Sequence, residues 1–142
     1  MLNKFKKQMK NEKGLTLIEL LAVIVILAIV AAIAIPAIGG IIQSSKEKAV
    51  IADAQNVLAA ANIYFLENTD ATSATTKKGD ADLLIPKYLD DAGTLGESAV
   101  VTKGEDGEST IAFTGTAGEK SLTVSGKTKT DLNDKELLKE FE

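Results

Sequence analysis

Cysteine, histidine, tryptophan and arginine are all absent from the 142 residues, and only six residues are aromatic. Without histidine the chain lacks the commonest catalytic base, and without cysteine it has no nucleophilic thiol, no disulfide and no zinc-thiolate site. Its serines have no imidazole to activate them, so a hydrolase triad is excluded and the chain reads as a non-enzyme. No glycine-rich phosphate loop is present, and no cofactor is expected. Asp131, Asn133, Asp134 and Glu136 crowd oxygen ligands together, but without the central glycine of a calcium loop. They read as a solvated acidic terminus, and no metal is expected. All sixteen cations are lysines, set against twenty acids. A chain of net charge −4 with so few aromatics is not expected to bind nucleic acid directly.

What is present is unevenly placed. Residues 15–42 hold 23 apolar residues in 28 positions, whereas residues 43–142 hold 37 in 100. Charge divides at nearly the same place: residues 1–14 carry +4 and residues 15–142 carry −8. From 20 to 42 no side chain is charged or hydrogen-bonding, and a helix of that length covers about 34 Å, enough for a hydrocarbon core. Lys4, Lys6, Lys7, Lys10 and Lys13 precede it and hold that end in the cytoplasm, leaving residues 43–142 outside. A cleaved secretory signal would have a shorter apolar run followed by a small-residue site, and none stands beyond Ile42. A plain signal anchor is the simplest alternative.

An anchor does not explain Glu19, a carboxylate inside the apolar run with no lysine of its own chain within helical reach on the apolar side. Such a group costs about 2.5–3.5 kcal/mol at membrane depth, so it calls for a partner. If the Gly14–Leu15 bond were cut, the new amine would be the cation nearest this depth, and Glu19 would lie beside the amine of an axially displaced neighbouring copy.

The run Lys13-Gly14-Leu15-Thr16-Leu17-Ile18-Glu19-Leu20-Leu21 resembles the class III signal of type IV pilins and pseudopilins, and the likeness continues to Pro36. A short lysine-rich leader ends in Gly14, Glu19 is the fifth residue after it, and Pro36 is the twenty-second. The resemblance implies cleavage after Gly14 by a prepilin peptidase, methylation of the new Leu15 amine, and assembly into a helical filament in which Glu19 meets a neighbouring N-terminus. Leu15 stands where the family most often has phenylalanine. Pro36, Gly39 and Gly40 become the helix-bending positions, since proline removes a backbone donor and glycine weakens a helix.

The expected fold is α+β: a long N-terminal helix, membrane-spanning in its first half and amphipathic in its second, packed on a small antiparallel meander of about three strands. Residues 1–14 are the leader, 15–42 the transmembrane or filament-core helix, and 43–142 the extracellular head. Within the head a helix is expected over 43–67, a loop over 68–97, a sheet over 98–126 and a terminal segment over 127–142, the last with a short helix. Val50, Ala54, Val57, Leu58, Ala61 and Phe65 recur at helical spacing. Strands are expected at 99–103, 109–114 and 121–125, with Val101, Ile111, Phe113, Leu122 and Val124 inward. Gly104, Gly107, Gly115 and Gly118 are expected at positive-φ turn positions. Val50 to Ala54 is expected to be an exposed stripe once the head stands alone.

Together these readings give a structural subunit: a single-pass membrane precursor polymerised through its N-terminal helix into a cell-surface type IV pilus. Its expected partners are further copies of itself, the prepilin peptidase, and the assembly platform and ATPase. The alternatives are the major pseudopilin of a competence or type II secretion-like system, and a single-span anchored binding domain.

Overall fold

The computed structural model describes residues 16–142, and of residues 2–15 only that they lie in the first helix. Gly14 and Leu15, the expected cleavage pair, fall outside the described residues. The chain divides into two compact units at Ile41/Ile42, and helix α1 (Leu2–Glu67) contributes to both.

The first unit is helix alone. Its helical backbone continues through Pro36, Gly39 and Gly40, a tolerance expected of apolar helices. An 18-residue window of mean hydropathy 3.1 lies in α1, near the N-terminus, and none of that window is buried. By length and composition this is a helix able to cross a membrane.

The second unit is the α+β head. Strands β1 (Ser73–Thr75), β2 (Val100–Thr102), β3 (Thr110–Ala117) and β4 (Lys120–Lys127) form one antiparallel sheet in sequence order. Strand alternation turns Val101, Ile111, Phe113, Leu122 and Val124 inward, and all five are buried. The helical stripe Val50, Ala54, Val57, Leu58, Ala61 and Phe65 is buried in the same core. Tyr64 joins it, its ring edge-on to Phe65 and Tyr88 at 5.7 and 5.4 Å. The Tyr64 hydroxyl donates to Asp82 at 2.6 Å, which with burial raises its pKa.

Five expectations need correction. The sheet has four strands rather than three, because β1 forms within the expected loop 68–97. Its Ser-Ala-Thr sequence is too short to show a period. It is held by pairing with β2, by a bridge from Thr75 to Leu83, and by Thr76, which donates its N–H to the Ala99 carbonyl and receives the Ala99 N–H on Oγ1. Gly104 and Gly115 are not at positive φ, unlike Gly107 and Gly118. Gly115 lies inside β3, which runs to Ala117, and a Cβ there would run into the Val50 side chain, so the glycine admits the close approach of helix and sheet.

The terminal segment is not one helix but a four-residue helix α2 (Lys129–Leu132) and a 3-10 turn, Lys135–Glu140. Asp134 interrupts by accepting the N–H of Glu136, starting the second turn afresh. Finally, Val50 and Ala54 are fully buried within the head and form no exposed stripe, since the β3 backbone at Gly115 comes up against the Val50 side chain.

Candidate functional site

The residues singled out from the sequence do not converge into a pocket; they lie in series along one helix. Glu19 and Pro36 are 17 positions apart, which in helical geometry separates them by about 25 Å along the axis. Glu19 is exposed, flanked by Ile18 and Leu20, each about two-thirds exposed. Among the described residues its carboxylate forms no hydrogen bond and no ion pair. A Cβ added at Gly39 or Gly40 would meet nothing within 4 Å. Among the described residues these glycines meet no packing partner, and the segment's large apolar side chains are exposed.

The helical residues of the head carry an exposed surface of their own, a feature the sequence pattern of the buried stripe did not disclose. Opposite the core, Ala49, Ala52, Asn56, Ala59, Ile63 and Leu66 are all exposed. They alternate spacings of three and four, which is the heptad seam of helices that pack side by side. None is charged, and Leu66 is 80% exposed. The charged residues of this stretch, Lys46, Glu47, Lys48, Asp53 and Glu67, fall beside the seam. The signal was present in the sequence as a second 3.5-residue period out of phase with the first.

The head's polar groups mostly hold its own loops. Asp53 accepts from both the N–H and the hydroxyl of Thr94 at 2.8 Å, tying the turn Gly93–Leu95 to α1. Gly93, at φ +59°, is the close approach in this tie, since a Cβ would collide with the Asp53 carboxylate. Tyr88 donates to Glu67 at 2.6 Å and receives Lys87 at 2.8 Å. Glu67 is thereby held below the usual carboxylate range, first by Tyr88 and then by Lys87, and Lys87 is held above the usual lysine range.

Of the acidic terminus, Asp131 caps α2 by accepting from the Thr128 N–H and hydroxyl, which lowers its pKa. Asn133 accepts from Gln55, and Glu136 pairs with Lys139. Asp134 accepts the Glu136 N–H, so each of the four has its own local partner, and no group of three or more potential metal ligands occurs among the described residues.

Comparison with known families places the model of the prokaryotic N-terminal methylation motif on residues 9–35. This is the class III signal of type IV pilins and pseudopilins, the element that prepilin peptidase processes and that goes with assembly into filaments in general. No curated protein and no solved structure matches the chain.

Proposed function

We propose that this chain, a precursor of the type IV pilin or pseudopilin kind with a membrane-capable N-terminal helix, is the structural subunit of a surface pilus. Prepilin peptidase cuts it after Gly14 and methylates Leu15. An assembly platform driven by an ATPase then draws the apolar helix from the membrane into the core of a homopolymer. The subunit itself performs no catalysis; its work is adhesion or motility through the filament it builds.

The observation that carries this reading is Glu19, a carboxylate with no partner among the described residues, on a helix segment whose described large apolar side chains are exposed. Two unit charges about 4 Å apart attract by about 4 kcal/mol at an effective dielectric near 20, comparable to the insertion cost of a lone glutamate. Pairing with the Leu15 amine of an adjacent copy therefore offsets the burial and acts mainly on axial register. An uncleaved subunit has no amine at Leu15 and should not assemble. The uncharged seam from Ala49 to Leu66 supports the same reading, because it gives the head a surface of its own for helix association.

Glu19→Ala tests it beside Glu19→Asp. The alanine variant should be cut and inserted normally yet give few or no filaments; normal filaments would end the pairing mechanism. The pseudopilin alternative rests on the same signal and is separated by filament length on cells. For the anchored-domain alternative the decisive observation is a mature mass that retains Met1 to Gly14.

A further inference from the structure

The exposed seam of the head resolves into heptad positions, and the residues around it give it a direction and a register. In the notation abcdefg, Ile42, Ala49, Asn56 and Ile63 occupy a, while Ser45, Ala52, Ala59 and Leu66 occupy d, over about 37 Å of helix. All eight are exposed, and the core residues Val57, Leu58 and Ala61 fall at b, c and f, on the opposite side. Asn56 is the one amide in this face, at the central a position, and among the described residues it forms no hydrogen bond.

We propose that this face pairs two copies of the chain side by side and in register in the membrane, before any filament forms. The proposal rests on insertion of the apolar helix and not on polymerisation. Copies inserted by the same signal run parallel, and each carries Asn56 fourteen residues past Ile42, so a shared bilayer sets their seams at one level. In parallel helices the g residue of one copy meets the e residue five positions on in the other. Lys48 at g therefore meets Asp53 at e of the second copy, and two-fold symmetry repeats the pair. Asn62 and Glu67 stand in the same relation, an amide facing a carboxylate, and no like-charged pair arises. Both charges are available: Lys48 is exposed and has no ion pair among the described residues, while Asp53 accepts from Thr94 on Oδ2 and keeps Oδ1.

Other registers lose these matches. A slip of one heptad, about 10 Å, sets Lys48 against Lys46 of the second copy in one direction and against Ala60 in the other. Either slip also lays Asn56 against Ala49 or Ile63 instead of a second Asn56, and a polar residue at a single a position fixes register in that way. Three of the seam residues from Ala49 to Leu66 are alanine, so the contact is thin and the isolated head should stay monomeric in free solution. Confinement to a bilayer supplies the effective concentration that the pair requires. The filament reading places Glu19 beside the amine of an axially displaced copy. The in-register pair is thus a separate state, from which a subunit must part before it polymerises.

The chain has no cysteine, so one introduced thiol reports one contact. Full-length precursor, kept from the peptidase, is reconstituted into uncharged liposomes and oxidised with copper phenanthroline. Ala59→Cys should crosslink about ten-fold or more above Thr116→Cys, a collision control on the sheet. Tagged Ala52→Cys should not capture untagged Ala59→Cys, one heptad away. Adding Asn56→Leu should raise the matched crosslink and admit the displaced one, since asparagine at a trades stability for register. Lys48→Glu should lower the matched crosslink about five-fold or more at low salt and less at high salt. Positions 48, 52, 56 and 59 are all exposed, and an unchanged melting midpoint of the head separates lost pairing from lost fold.

The proposal is overturned by equal crosslinking of Ala59→Cys and Thr116→Cys, by capture across the displaced positions while Asn56 is present, or by a matched yield indifferent to Lys48→Glu. Quenching of a dye at position 59 by lipid-borne quenchers, with no crosslink, would hand this face to the bilayer and overturn it as well. The uncut precursor has no amine at Leu15 and needs no filament here. Failure to pair therefore leaves the pilus reading standing, and loss of filaments in Glu19→Ala leaves this one standing.

Discussion

Residues 17–42 and residues 43–142 draw on the same aliphatic side chains and bury them in opposite ways. In the first stretch Leu17 is 68% exposed and Ile42 is 50% exposed, and no large side chain between them is covered. In the second, Val50 through Phe141 close a core to which helix, sheet and terminal segment all contribute. Apolar surface contributes about 25 cal/mol per Å² only when something removes it from water. The head has supplied its own cover, while the described side chains of the apolar helix have none within the chain. One chain thus holds a self-sufficient fold and an insufficient one, and the function proposed above draws on the insufficiency.

The bluntest way to break the comparison is to cut between the two. Residues 43–142 should remain folded, soluble and monomeric, whereas the full chain should require detergent or a bilayer, and sedimentation velocity decides it. Long polymers of the isolated head would move the assembly determinant out of the apolar helix.

Single substitutions sharpen the contrast. Leu122→Ala removes a side chain buried to 1% and should destabilise the head by about 3 kcal/mol, read as a lowered midpoint in denaturant. Leu27→Ala, at 60% exposure, deletes the same atoms and should leave that midpoint within about 0.5 kcal/mol of native. Next in size is Gly115→Ala. Its methyl group must displace Val50, a crowding that costs about 1–3 kcal/mol and should again appear only in the head. An unchanged midpoint would mean that helix and sheet can separate at no cost.

The sequence made the two regions legible because each follows a simple period. A charge-free run of 23 residues declares the apolar helix, and the alternation of Ile111, Phe113, Leu122 and Val124 declares the inner sheet face. What escaped were features decided by contact rather than by pattern. β1 exists because Thr76 and Ala99 bond across a gap of 23 residues, and Ser-Ala-Thr carries no mark of it. Gly115 looks like a turn residue until Val50 is placed against it. The terminal segment has helix-like leucines, yet Asp134 accepts locally and divides it in two. Gly14, Glu19 and Pro36 were legible through their resemblance, in register, to the class III signal, and on the reading proposed above Gly14 and Glu19 meet other proteins rather than this fold.

The smallest predicted effect is a pH dependence confined to the head. Glu67 and Asp131 both have carboxyls held below their ordinary values of 4.5 and 3.8, by Tyr88 with Lys87 and by Thr128 respectively. A depressed folded-state pKa means that the unfolded chain binds protons more readily. The stabilisation is therefore complete above the ordinary value and is lost as pH falls through the depressed one. Both groups are at the surface, so the contribution is modest and is best read as a difference between variants. Tyr88→Phe keeps the ring against Tyr64 but removes the hydroxyl that donates to Glu67 at 2.6 Å. At pH 7 it should melt slightly below native, and the gap should close as pH falls below 4.5 and through the depressed value, where protonated Glu67 no longer gains from the bond. Thr128→Ala should behave likewise over a slightly lower range, because Asp131 titrates from a lower starting value. A gap that stays constant across this range would assign the loss to packing at Tyr88 and to helix capping at Thr128, with no electrostatic part in either. The apolar helix, read through its insertion into liposomes, should be indifferent to both substitutions.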